Sequence, residues 1–168
     1  AELASADGRR WLPVESLFKG PGEPAFDRQA EILVRFAIPQ RKLGEGAAFW
    51  RVMRPQGLAI AILNVAAWLR LDDSGKIEAA RLAVGPSGPV PRRARTAEGE
   101  LLGKDLSAST LSAAGRALRQ DVQLRTSPHR ATSDYRYHLL DHLLPSVLQA
   151  AWASATTPVP LVSKQSHA

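Results

Sequence analysis

The sequence predicts an α+β fold, a small antiparallel sheet with about three helices on one face. Three observations predict it. The stretch FWRVMRPQGLAIAILNVAAWLRLDD, Phe49 to Asp73, is uncharged from Pro55 to Leu69 and closes on the turn Asp72-Asp73-Ser74-Gly75. The run after that turn, Lys76 to Gly85, alternates apolar and polar residues, as the return strand of a hairpin does. Helical periodicity then takes over. It is clearest over Ser133–Ala153, where Tyr135, Leu139, Leu143, Val147 and Ala151 recur at every fourth position beside Leu140, Leu144, Leu148 and Trp152.

Taken in order, Gly8–Val14 reads as a short edge strand ended by Pro13, and Val14–Phe18 as one helical turn. Lys19–Pro24 holds two glycines and two prolines and reads as a loop. Over Glu31–Ile38, Ile32, Val34, Phe36 and Ile38 alternate with Leu33, Arg35 and Ala37, a strand ended by Pro39. Gln40–Ala47 is polar and glycine-containing, so a linker and a subdomain boundary are expected there. Around Gly57–Val65 the alanines suit a helix and the β-branched residues a strand. The flanking alternation and the turn decide for a strand over Ala59–Leu71 paired with Lys76–Gly85. Phe49–Arg54 is a third strand or a lead-in.

Gly85–Pro91 is a tight loop. A short helix is expected over Thr96–Leu102 with Thr96 as its cap, and an amphipathic one over Leu106–Arg119. Ser133 should cap the last helix, with a kink at Pro145. Thr156–Ala168 has no pattern and reads as a loose tail.

Composition narrows the function classes. The chain has 168 residues, 45% hydrophobic and 23% charged, which is ordinary for a globular domain. It has no cysteine, which excludes disulfides, a cysteine nucleophile and iron–sulfur ligation within it. The net charge is +6, but the basic residues are spread out, so a solvated basic surface is expected rather than a nucleic-acid site. No apolar run reaches the ~20 residues that cross a bilayer. The first residues carry charges and no apolar core, so they are not a signal peptide, and the chain reads as though it began in mid-sequence. A cytoplasmic location is expected, the periplasm being open to a cysteine-free chain as well.

Few residues suggest chemistry. Gly20–Pro24 (GPGEP) lacks the lysine–serine ending of a phosphate loop and reads as a surface turn. His138, Asp141 and His142 share a helix with metal-compatible spacing, but no third ligand is evident, so no metal is assigned. Ser87 lacks a nucleophile-elbow frame, and no catalytic residue is assigned. Arg51 and Arg54 are different, because they border the most apolar segment. A guanidinium there needs an anionic partner or carbonyl acceptors. That partner is an anionic ligand, a cofactor edge or a neighbouring subunit. A salt bridge to the chain's own carboxylates is the plainer alternative.

Several pieces occur in an order that resembles a known family. They are VESLFKGPGEPAFDRQAEILVRFAIP (Val14–Pro39), then NVAAWLRL, RLAVG and PRRARTAEGELLGK within Phe49–Lys104, then DYRYHLLDHLLPSVLQAA (Asp134–Ala151). Together they resemble the C-terminal part of the FAD-binding subunit of molybdenum hydroxylases, the family of carbon monoxide dehydrogenase and xanthine dehydrogenase flavoproteins. The resemblance implies a three- or four-stranded antiparallel sheet on three helices. It divides the chain into a remnant of the FAD-binding domain (1–39), a linker (40–48), the C-terminal domain (49–155) and the tail (156–168). It implies an electron-transfer subunit that takes electrons from an iron–sulfur subunit, fed by a molybdenum-cofactor (molybdopterin) subunit, through FAD to NAD or a quinone.

In this resemblance FAD is held mainly by an N-terminal domain beyond this sequence, so the chain alone should bind it weakly or not at all and be inactive. Ile32 and Leu33 stand where the family lines the isoalloxazine ring. Arg51 stands where many members have a lysine, and Arg54 matches a family arginine. These four are the expected cofactor-binding residues, with 2Fe–2S clusters and molybdopterin in partner subunits. The competing expectation is a cofactor-free α+β module that docks partner subunits.

Overall fold

A computed structural model describes residues 1–55 and 59–157. The turn at Asp72 sets the register of its main sheet. Asp72 Oδ1 accepts from the Ser74 N–H (2.9 Å), the Ser74 hydroxyl (2.7 Å) and the Lys76 N–H (2.9 Å), and Gly75 takes φ 78°, a conformation open to glycine without strain. The turn joins β7 (Ala61–Leu71) to β8 (Ile77–Gly85), which run antiparallel with Val65 opposite Val84. On the other side β7 pairs with β6 (Glu45–Met53), Trp50 lying opposite Val65, so the strand order is β6-β7-β8. The hairpin is as the sequence predicts, and Phe49–Met53 of the expected Phe49–Arg54 segment belongs to a full third strand. That strand starts at Glu45, inside the stretch expected to be a linker.

Alternation along β7 buries Leu63, Val65, Ala67 and Leu69, and β8 adds Ala80, Leu82 and Val84 to the same core. Three helices follow: α1 (Arg95–Leu101), α2 (Ala108–Asp121) and α3 (Ser133–Thr156). α3 lies over β6 and β7 and buries Leu140, Leu144, Val147, Leu148 and Ala151, while Leu139 and Leu143 are only partly buried at the rim. Gly46 lets it sit close, since a Cβ there would lie 2.1 Å from the Ala151 carbonyl oxygen. Arg41 holds the far end of α3, donating to the Ser154 and Thr157 carbonyls, where a cation also suits the helix dipole. α3 runs on as a helix through Pro145. Residues 158–168 of the expected tail lie outside the described residues.

Two caps differ from expectation. Thr132 caps α3, accepting from the Tyr135 N–H at 3.3 Å, and Ser133 instead donates its hydroxyl to the Leu124 carbonyl at 2.6 Å. Thr96 does not cap α1. Asp121, at the end of α2, accepts from the Ala97 N–H (2.9 Å) and the Thr96 hydroxyl (2.7 Å), so the cap comes from a neighbouring helix.

The outer edge of β8 is closed. Leu82 donates its N–H to Glu98 Oε1 (2.8 Å) and accepts at its carbonyl from the Ala94 N–H (2.8 Å). Arg93 donates to both Glu98 oxygens (2.8 and 2.5 Å) and to the Ala80 carbonyl (3.2 Å). Ile77 exchanges backbone bonds with Gly103 and Lys104, and the Ser87 hydroxyl takes the Val84 carbonyl.

The first residues form an element the sequence reading did not expect. β1 (Glu2–Ser5) is the centre of a small sheet, flanked by β2 (Gly8–Trp11) and β5 (Ile32–Arg35). Ala1, Leu3 and Leu17 form its core, with Leu12, Phe26 and Leu33 packed against them. Glu2 is buried (3% exposed), with the Arg35 guanidinium at 2.6 Å and that of Arg9 at 3.4 Å. Burial alone would push its carboxyl up, but the bonds from the two arginines outweigh this and hold it below the usual carboxylate range. Val14–Leu17 is one 3-10 turn, as expected. Lys19–Pro24 is not a plain loop. Gly22, at φ 73°, turns a minimal hairpin of β3 (Phe18–Gly20) and β4 (Glu23–Pro24). β5 stops at Arg35, short of the alternation that continues to Ile38.

Candidate functional site

One face of the main sheet is covered by helices; the other is open. Register places its rows. Arg51 lies opposite Asn64, and Asn64 opposite Gly85. The next row toward the turn is Phe49, Ala66 and Ala83, and the one after is Ala47, Trp68 and Arg81. The Asn64 side chain lies over Gly85, where a Cβ would come 2.9 Å from its Oδ1. Phe49 is 59% exposed. The Arg81 guanidinium sits 5.1 Å from the Trp68 ring centre, within cation–π range. Together Ala47, Phe49, Ala66, Trp68, Arg81 and Ala83 border a shallow concavity of about 520 Å³. It is an apolar floor bounded at one end by the guanidinium-covered indole of Trp68. The sequence shows Phe49 and Trp68 only as strand residues; their position on an uncovered face comes from the packing of α3 on the opposite side.

Of the four residues singled out above, Ile32 and Leu33 lie on β5, Arg51 on β6 and Arg54 just past its end. Ile32 is 72% exposed and lies opposite Ala4. Leu33 lies opposite Leu3 and packs into the small core, so it also has a structural role. Arg51 donates to the Ala59 carbonyl at 3.4 Å and Arg54 to the Arg130 carbonyl at 3.3 Å. Both arginines are exposed, and among the described residues neither is in an ion pair with a carboxylate. The plainer alternative, a salt bridge within the chain, is therefore not how the described residues arrange them. No hydrogen bond among the described residues joins Ile32 or Leu33 to Arg51 or Arg54. His138 and His142 meet edge to face at 4.7 Å, and among the described residues no three potential ligands gather around a metal position. No described helix is long and apolar enough to cross a membrane.

Comparison with known proteins agrees with this architecture. The family model of the CO dehydrogenase flavoprotein C-terminal domain matches residues 48–151, more than half of the chain. The chain is 34% identical over 155 residues to the xanthine dehydrogenase FAD-binding subunit of Escherichia coli O157:H7, covering 92% of this chain and 52% of that protein. It is 32% identical over 153 residues to the nicotine 6-hydroxylase medium subunit of Paenarthrobacter nicotinovorans, covering 90% and 52%. Carbon monoxide dehydrogenase from Hydrogenophaga pseudoflava superposes with a TM-score of 0.81 at 26% identity, over 91% of this chain and 52% of that one. The chain thus spans about half the length of the relatives it matches. Three strands, three helices, their order and the residues matched all agree: the chain belongs to the CO dehydrogenase flavoprotein C-terminal domain family.

Proposed function

We propose that this chain is the C-terminal portion of an FAD-dependent electron-transfer subunit in a molybdenum hydroxylase-type oxidoreductase. In that role it helps relay electrons from iron–sulfur clusters through FAD to an acceptor. Its partners are the molybdenum-cofactor subunit and the iron–sulfur subunit of the same complex. The observation that carries the reading is the family match over residues 48–151, joined to relatives named as FAD-binding and medium subunits.

The residues present fit the margin of a flavin site. Ile32 offers an exposed apolar side chain, and Arg51 an exposed guanidinium with no carboxylate on it among the described residues. The flavin, when bound, supplies the redox chemistry. Ile32 and Leu33 border the ring through apolar contact. Arg51 places positive charge where electrons would add negative charge, a fixed electrostatic stabilisation. Arg54 ties the end of β6 to the loop before α3 and adds to the same positive field.

A flavin-fluorescence titration of the chain tests this. Weak, saturable quenching that is lost in Arg51→Ala and kept in Arg51→Lys supports the reading. Quenching indifferent to Arg51→Ala removes Arg51 from the site. The uncovered Phe49–Trp68 face favours one second reading, a cofactor-free module that docks partner subunits. A folded chain with no flavin response leaves both readings, and the second is selected if the chain joined to the N-terminal half of its relatives still takes up no flavin.

A further inference from the structure

Arg136 stands in the first turn of α3 and is 2% exposed. Its Nε is buried with no hydrogen-bond partner, and none of the ion pairs among the described residues includes it. Asp134, two residues before it, is exposed and makes no bond to it. Burial first, then Arg130 and Arg125, pushes the guanidinium below its ordinary pKa. The helix terminus adds to the positive field rather than relieving it. A buried guanidinium without a counter-charge is costly, and removing such a cost takes an anion.

Arg136 faces a place for one. It lines a cleft of about 400 Å³ with Arg125, Gln123 and Ser127, walled by the proline–glycine loop after β8 and by Pro21. The cleft has no acidic lining residue. Its walls are tied in place: Gln123 donates its N–H to the Ser87 carbonyl (3.2 Å), and Ser127 its N–H to the Ala131 carbonyl (2.9 Å). Two guanidiniums call for more than one negative charge. A phosphate group carries about −1.5 to −2 at neutral pH and presents oxygens that match the arginine fork. The Gln123 amide and Ser127 hydroxyl are donors for the remaining oxygens. We propose that this cleft binds a phosphate group, free or carried by a small ester, with Arg136 and Arg125 as its cationic arms. The inference does not depend on the flavin reading.

The test is thermal unfolding of the chain in inorganic phosphate, acetate or chloride at matched ionic strength, so that general screening cancels. Phosphate is expected to raise the midpoint saturably over chloride, and acetate is not. Adenosine 5′-monophosphate separates the sources: tighter binding than phosphate means an ester, equal or weaker binding means the free ion. Arg125→Ala should weaken the apparent phosphate affinity by about tenfold or more. Arg136→Met removes the unpaired charge and should abolish the phosphate response without lowering stability in chloride. No phosphate effect, an equal acetate effect, or a response that survives in the variants overturns the proposal. If Arg136→Met does not fold, Arg125→Ala decides.

Discussion

Gly46 in β6 lies so close beneath Ala151 in α3 that a Cβ on it would sit 2.1 Å from the Ala151 carbonyl oxygen and 2.3 Å from the Ala155 nitrogen. The neighbours are backbone atoms of a helix, which cannot rotate away. Gly46→Ala is therefore expected to push α3 off the sheet and destabilise the chain by about 3 kcal/mol or more. Urea unfolding checks it; an unchanged midpoint would mean the helix shifts without cost.

Asp121→Ala should remove the cap of α1 and leave the Ala97 N–H without its acceptor, a loss of about 1 kcal/mol. Thr96→Val, which loses only the bond to the other oxygen, should cost less. The two changes share one partner, so the double variant should fall short of the sum. Denaturant unfolding of the three variants reads this directly.

Acid should loosen the small N-terminal sheet. Burial raises the Glu2 carboxyl but bonds from Arg35 and Arg9 outweigh it, and bonds from Arg10 and the Asp27 N–H lower Glu31. A carboxyl depressed in the folded state contributes stability that is present above its unfolded value. That contribution is lost as pH falls through the folded value, so the loss belongs below about pH 4. Amide exchange at Leu3 and Leu33 should speed up there before exchange in β7 does. In Glu2→Gln the pH response should flatten, and a chain whose two sheets loosen together would contradict the assignment.

How much of this was legible in the sequence depends on where the determining partners lie. The Asp72–Gly75 turn is local, and its aspartate, serine and glycine announce it, so the β7–β8 hairpin could be read within a few residues. β1 could not. Four residues carry little periodicity, and a glutamate in a buried strand looks wrong until Arg35, far along the chain, is known to reach it. The α1 cap failed for the same reason, since Asp121 lies on another helix. β5 was overread because alternation continues past Arg35, where no partner strand remains to pair with it. Arg51 and Arg54 stood out as cations beside apolar sequence. Arg136 did not, although it stands four residues before Leu140 on the stripe of Leu140, Leu144 and Leu148 that the fold buries, because a charge at the end of an apolar stripe ordinarily reads as solvated.

The sealed margin of β8 bears on assembly. Ile77, Ala80, Leu82 and Val84 have already given their outward-facing carbonyls to Gly103, Arg93, Ala94 and Ser87. A strand from another polypeptide, whether a legitimate partner or a misfolded copy, finds no run of vacant acceptors there to zip onto. Lateral growth of this sheet is blocked on that flank by its own chain, and a neighbour approaching it must bind through side chains.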